Sequence, residues 1–581
     1  MRTLNALTGT NKYVFAYNAD GNLTSITDGD NNVTTVERDG AGRPTGIRSP
    51  YGQLTTLTLD ANGYIASVTN PAGEANRYTY SSDGFLLTKR DPSNNLNTFA
   101  YDENNYLIRN TNSGSGQHNL SKTGNPSDST VTHRSPMNRT STFRVQNAPN
   151  GDETQSITFE DASRYKVTTF ADGATSEIDP DNSTEETELG PDPRWAMQAP
   201  IVESLVLQSP AGRSFNLSSS QTVALSDPAN PFSLTEQNYA FTGNGRSYLL
   251  NYLQSNRTFS ITSPMQRVST FVIDEQERPT QIRFGNLTPT NVTYDARGRL
   301  STSVTGSGLS ARSYSATYDN NGNRSAVTDP LDQTSEYQYD LGGRATRATL
   351  ADGRAIGFAY DANGNLASVT PSGRPAHSMT YNPRNLLTSY TAPSLGGNST
   401  TTFDYNADGD LTRVTRPDGL QVNFAFNGLG QLTSETTPSG TYGFTYNPEG
   451  QLSGVTAPGG VSNSFNYDGA FATRLAWSGP ITGEVSFAYH NELVSAVSVN
   501  GANPIAITYD DDDLLVGAGG LTLTHDPQNG LLTGTALTNV TDAITYNAFG
   551  EPDTYTAKFN SSTLYASNLT YDKIGRITRK V

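Results

Sequence analysis

The chain has no cysteine among its 581 residues, so neither disulfide bridges nor thiolate metal sites are open to it. Long apolar runs are missing as well. No stretch approaches the roughly 18 residues of a membrane-spanning helix, and Met1 to Thr10 lacks the hydrophobic centre of a signal peptide. Cations are outnumbered, 39 Lys and Arg against 56 Asp and Glu, for a net charge of −17. Nucleic acid is thereby disfavoured as a partner, because a phosphate backbone needs clustered Lys and Arg. No segment places apolar residues at i, i+3, i+4 and i+7, which argues against helices. The five histidines (His118, His133, His377, His490, His525) fall in no H-E-x-x-H context. There is no G-x-S-x-G elbow, P-loop or dinucleotide fingerprint. Only 34% of residues are hydrophobic, a level that would suit disorder but for 30 Tyr and 22 Phe at regular intervals.

Those aromatics belong to a repeat. Phe358 to Thr370 (FAYDANGNLASVT) reads as strand, tight turn, strand. Phe358 and Tyr360 stand two apart, the period of a half-buried strand. Asp361 can fold its carboxylate onto the following amides. Gly364 supplies the positive φ of a type I turn with a bulge, and Leu366 opens the returning strand. The same register recurs roughly every 21 residues: Tyr17 with Gly21, Tyr80 with Gly84, and Tyr294-Asp295 with Gly298 and Leu300. Later copies are Tyr405 with Gly409, Tyr446 with Gly450, and Tyr571 with Gly575; at His525 a histidine stands in the tyrosine's place. A second turn signal follows about ten residues on, as at Asp91-Pro92-Ser93-Asn94 and Pro417-Asp418-Gly419. Turns so spaced leave strands of about five or six residues. The unit is two strands, and the array is an all-β meander. Twist accumulates at about 20° per neighbouring strand, so a ribbon this long must coil or close. Coiling also hides sheet edges that would otherwise aggregate.

Tyr360-Asp361-Ala-Asn-Gly364-Asn-Leu366 and Tyr294-Asp295-Ala-Arg-Gly298-Arg-Leu300 resemble the Y-D-x-x-G-x-L unit of the YD-repeat (Rhs-repeat) family. The resemblance implies a long spiralling sheet forming part or all of a hollow shell. In bacterial polymorphic-toxin and Tc-toxin relatives such a shell encloses a C-terminal toxin, and in animal teneurins a similar shell is part of an adhesion receptor. Those toxin-bearing relatives usually close with a D-P-x-G-L-type segment and an autoproteolytic aspartate pair, which this sequence does not carry after Tyr571. The chain therefore reads as part of a longer repeat protein, or as one that docks to other chains.

Residues 1–110 and 271–581 hold the well-kept repeats. Residues 111–270 read as divergent β units of the same shell, with an inserted β domain as the alternative. There the tract Glu185-Glu186-Thr187-Glu188 reads as a solvated acidic loop, and Trp195 as the anchor of an irregular corner. Asp179-Pro-Asp181 opens like a Ca²⁺ loop, making Asp179 and Asp181 the best metal candidates, but Thr184 and Gly190 stand where an EF-hand needs Gly and Glu. Paired carboxylates elsewhere are accounted for by turn chemistry. The reading is a non-enzymatic shell without cofactor, secreted or on a bacterial surface, that encapsulates or presents a toxin or effector polypeptide. Its partners would be protein cargo or other YD-repeat chains. Cell-surface adhesion with glycan binding is the alternative, and neither nucleic acid nor membrane insertion is expected.

Overall fold

The structure, a computed structural model, describes residues 1–394 and 396–581. These residues form 53 strands, each antiparallel to the next in sequence; the single helical piece is a 3-10 turn at Gly308–Ser310. In the unit at Tyr360, strand Ala355–Tyr360 pairs with Leu366–Thr370, setting Phe358 opposite Val369 and Ala359 opposite Ser368. The register then slips by one residue at Tyr360, and it slips in the same place at Tyr294, Tyr405, Tyr446 and Tyr571. Such a bulge bends the strand and frees a backbone group from the ladder. Alternation divides the sheet into two faces. Phe, Tyr, Leu and Val occupy one. The other carries short hydroxyls that bond across strands, as in Thr79–Thr88, Thr293–Thr302 and Thr545–Thr554 at 2.7–2.8 Å.

Residues 111–270 continue the meander with longer strands, including Ala196–Gln208 and Ser214–Leu225. The Glu185–Glu188 tract is not a loop. It lies in strand Thr184–Asp192, paired on both sides, with Glu185 directly opposite Glu177. Backbone pairing is indifferent to side-chain charge; Glu186 and Glu188 are exposed on one face, and Glu185, on the other, is half-buried. Glu177 also accepts the Tyr165 hydroxyl at 2.6 Å, which, with burial, pushes the Tyr165 pKa up to about 12. Trp195 lies just beyond this strand, edge-on to Phe232 at 5.0 Å.

Very little is buried. Among the described residues the fully buried apolar side chains are Leu234, Tyr252 and Ile273, packed with Leu7, Val223, Leu225 and Phe259. The accessible surface is 31660 Å², whereas a compact monomer of this mass would expose about 20,000 Å². A wall one sheet thick accounts for the difference.

The ribbon winds on itself. The turn at 135–139 meets the turn at 406–410, 209–213 meets 468–470, and 263–267 meets 510–513. In each case 23 strands intervene. The residue separation meanwhile falls from 273 (Ser135 to Asp408) to 239 (Arg312 to Glu551), with 23 strands again between the turns involved. Strand number, not chain length, fixes the coil, because each strand adds about 4.8 Å of girth whatever its length. Twenty-three strands make a circumference of about 110 Å.

Candidate functional site

The functional surface of such an array is the seam where coils meet, and it is built from two kinds of turn. At the first, Asp361 Oδ1 accepts the amides of Asn363 and Asn365, both at 2.9 Å, and Gly364 takes φ +87°. Asp295 holds the amides of Arg297 and Arg299 in the same way. Gly21, Gly84, Gly298, Gly409, Gly450 and Gly575 repeat the positive φ. A β-branched side chain is strained in this region. Gly364→Val is expected to lower the thermal midpoint by more than Ala359→Ser, which sits in an open strand; equal midpoints would contradict the assignment.

The tyrosine before each turn lies across the neighbouring strand, and its hydroxyl donates to the carbonyl that the bulge leaves free. Tyr360 bonds Ala345 O at 3.0 Å, Tyr381 bonds Leu366 O, Tyr405 bonds Leu387 O, and Tyr446 bonds Leu432 O. Tyr294 and Tyr571 bond the carbonyls of Pro279 and Pro552, while Leu300 receives Tyr318. Tyr17 is half exposed, and Tyr80 packs on Tyr64 at 5.3 Å. Periodicity gives no sign of this hydroxyl ladder, since Phe would satisfy the same pattern. Two replacements at the tyrosine position make the equivalent bond. Arg38 reaches Leu23 O at 3.2 Å, and the His525 ring lies 2.9 Å from Leu515 O.

The second turns carry the seam. Three of them read S-P-x-x-R: Ser135–Arg139, Ser209–Arg213 and Ser263–Arg267. Each seizes one aspartate of the next coil. Ser135 Oγ donates to Asp408 Oδ2 at 2.8 Å and the Met137 amide to Oδ1 at 2.8 Å. Arg139 bridges Asp408 at 3.1 Å and Asp410 at 2.7 Å. Ser209, the Ala211 amide and Arg213 hold Asp468 likewise. Ser263, the Met265 amide and Arg267 hold Asp512, with Asp510 a second partner of Arg267 at 2.9 Å. In the run Asp510–Asp513, repulsive in isolation, three of the four carboxylates thus face a guanidinium, Arg246 taking Asp513. Other seam pairs are Arg344–Glu74, Arg278–Asp30 and the bidentate Arg312–Glu551.

These contacts carry a pH signature. The Arg312 guanidinium holds the Glu551 carboxyl below its usual range. Burial pushes Asp510 up, but the Leu514 amide and Arg267 outweigh it and leave the group low. A carboxylate with a depressed folded pKa stabilises the fold above its unfolded value, near 4, and that contribution disappears as pH falls through the folded value. The thermal midpoint is therefore expected to hold from neutrality to about pH 5 and to fall below about pH 4; a flat profile down to pH 3 would refute the seam's ionic character.

Asp179 and Asp181 stand at the turn 179–183 and line a cavity of ≈ 440 Å³ at the seam, with Phe215, Phe471 and Glu492. Burial, then the neighbouring Asp181 and Glu177, raises the Asp179 pKa. Asp181 is occupied as a turn acceptor of the Ser183 amide. Among the described residues no three His, Asp or Glu side chains converge as a metal set. Among the same residues no helix is long and apolar enough to cross a membrane.

A one-layer β ribbon, coiled and fastened turn to turn, defines a shell protein. Residues 1–580 match the Teneurin YD-shell family, and the chain belongs to it. Its fold is similar to that of TcdB2-TccC3 without its hypervariable C-terminal region, at 12% identity and TM-score 0.51, covering 98% of this chain and 37% of that one. The TcdB2-TccC3-TEV structure gives 12% identity, TM-score 0.50, and coverage of 98% and 38%. The chain thus spans a little over a third of the length of these structures. No curated protein sequence matches it.

Proposed function

We propose that this chain is a length of shell wall that encloses or presents a toxin or effector polypeptide, and that it works by confinement without catalysis. What supports the reading is a wall one sheet thick, wound at about 23 strands per coil, whose accessible surface far exceeds that of a compact monomer. In this reading the polar face, with its Thr and Ser pairs and charged groups such as Asp404 and Arg413, lines the inside. Residues 111–270 serve in this reading as part of the same wall, since their strands pair in unbroken order and their turns supply the S-P-x-x-R fasteners at Ser135 and Ser209. The tyrosine hydroxyls are largely spent on backbone carbonyls, which disfavours a sugar-stacking role. Partners are polypeptides: the cargo and further chains of a toxin assembly secreted by a bacterium.

The test is electron cryomicroscopy of the chain carrying a polypeptide fused after Val581. Density for the fusion within the bore supports confinement. A particle with no bore when the fusion is absent, or a fusion found only outside the wall, overturns it.

A further inference from the structure

One stretch of the polar face carries cations without counterions. The directly opposed residues Thr79, Thr88, Thr98 and Thr111 mark that face from strand Ala75–Tyr80 onward. On it Arg77 stands directly opposite Arg90, and Arg109 and Arg134 flank Asn119 from either side. Arg144 and Lys166 flank Ser156 in the same way, and Arg164 lies opposite Thr158. All of these cationic side chains are exposed. Strands from Ala75 to Thr169 set a single carboxylate on this face, Asp128, and Arg144 already holds it at 2.7 Å. Among the described residues the other cations of the band have no ion-pair partner, and Arg90 reaches only the Asn94 carbonyl of its own turn.

Neither the repeat nor the overall charge accounts for this band. Elsewhere on the polar face, Arg48, Arg413 and Arg474 each hold a carboxylate, those of Glu37, Asp404 and Glu484. In the next coil, strands Ala355–Tyr360 to Leu387–Thr391 set only Gly, Ala, Ser, Thr and Leu on this face. The fold therefore needs no charge there. Like charges directly opposite one another destabilise a sheet, yet Arg77 and Arg90 are so placed in a chain with acidic residues in excess. By register the band descends obliquely from Arg90 to Lys166, roughly 40 Å at about 4.8 Å per strand and 3.3 Å per residue. Its far end deepens into a cleft of ≈ 620 Å³, where Arg144, Arg164 and Lys166 surround Thr142 and Ser156.

From this arrangement we infer that the band is a docking track for an acidic stretch of polypeptide, about a dozen extended residues long. Alternate carboxylates of an extended chain stand about 6.6 Å apart, within the roughly 5–10 Å at which cations recur from strand to strand. Guanidinium groups take carboxylates in a two-point fork, and the hydroxyls of Thr142 and Ser156 supply further donors. A long polyanion such as nucleic acid is repelled by the net charge of −17, which a short acidic stretch in a neutral polypeptide feels far less. If this face lines the inside, the acidic stretch belongs to the cargo; that placement rests on the confinement reading, whereas peptide binding does not.

The test is fluorescence anisotropy of a labelled twelve-residue peptide of alternating Glu and Ser, titrated with the whole chain. The control peptide carries Gln for Glu. The acidic peptide is expected to bind at least tenfold more tightly, and to weaken at least tenfold from about 50 to about 300 mM salt. Two double variants, Arg77→Gln with Arg90→Gln and Arg164→Gln with Lys166→Gln, should each weaken binding at least about fivefold. Arg283→Gln, on the same face but outside the band, should leave it unchanged. Arg77→Gln should also raise the thermal midpoint, because it relieves the opposed charges. Equal binding of the two peptides, or full affinity in either double variant, overturns the track. Tighter binding of a single-stranded oligonucleotide of the same charge overturns the polypeptide assignment. Microscopy of the fusion reads confinement separately, so either can fail alone.

Discussion

Asp408→Ala will cost the seam about 2–3 kcal/mol, since it removes a shared hydrogen-bond acceptor and one of the two carboxylates facing Arg139, while Asp410 remains. Arg139 and Asp408 are each only 9% exposed, and the same aspartate also satisfies Ser135 Oγ and the Met137 amide. Removal therefore leaves the Ser135 hydroxyl and the Met137 amide without their acceptor, and Arg139 with Asp410 alone. The expected readout is faster hydrogen exchange in strands Asp128–Arg134 and Thr400–Tyr405, with a lowered thermal midpoint. In a double-mutant cycle Arg139→Ala and Asp408→Ala should be non-additive for their shared contact, with the Arg139–Asp410 bridge the part that Arg139→Ala still removes. The exposed pair Arg354–Asp352 is the control: at 68% and 51% exposure its loss should leave the thermal midpoint essentially unchanged. If Asp408→Ala behaves like that control, the coils are not fastened at this turn.

Tyr252→Ala should destabilise the start of the first coil by about 3–5 kcal/mol, the range for truncating a large buried aromatic. Tyr252 is fully buried, lies against Phe259 with ring centroids 4.6 Å apart and packs with Leu234, Ile273 and Leu7, so it ties the first residues of the ribbon to strands some 250 residues later. Its hydroxyl, unlike those of the ladder tyrosines, has no protein partner. Tyr252→Phe should accordingly stabilise by about 1 kcal/mol, whereas Tyr360→Phe should destabilise by a similar amount through loss of its bond to Ala345. Denaturant midpoints of the three variants decide the matter. A loss in Tyr252→Phe would show that its hydroxyl is satisfied after all.

The local structure was largely legible in the sequence. Tyr360, Asp361 and Gly364 announce strand, capped turn and positive φ, because each depends only on its near neighbours. What joins coil to coil was not legible. Ser135 and Asp408 are 273 residues apart, and their meeting follows from counting strands around a girth, which no window of sequence reports. The S-P-x-x-R turns could have been noticed as a recurring motif, though their aspartate partners share no single position in the repeat: Asp408 and Asp512 stand three residues past the tyrosine, Asp468 one. The Glu185–Glu188 tract misled because composition speaks of solvent and not of backbone pairing. His118 and His133, 15 residues apart, become neighbours only once the register of their two strands is known.

An odd number of strands per coil has a consequence of its own. With 23, a first-type turn that meets the coil beneath meets a second-type turn there, as 406–410 meets 135–139, so at these contacts the two rims are not matched like with like. Lengthening such a chain by whole hairpins preserves that pairing, whereas inserting a lone strand would reverse the polarity of everything downstream. The thread is thus protected by parity: the container can evolve taller by extension at constant bore, but a change of calibre must come two strands at a time.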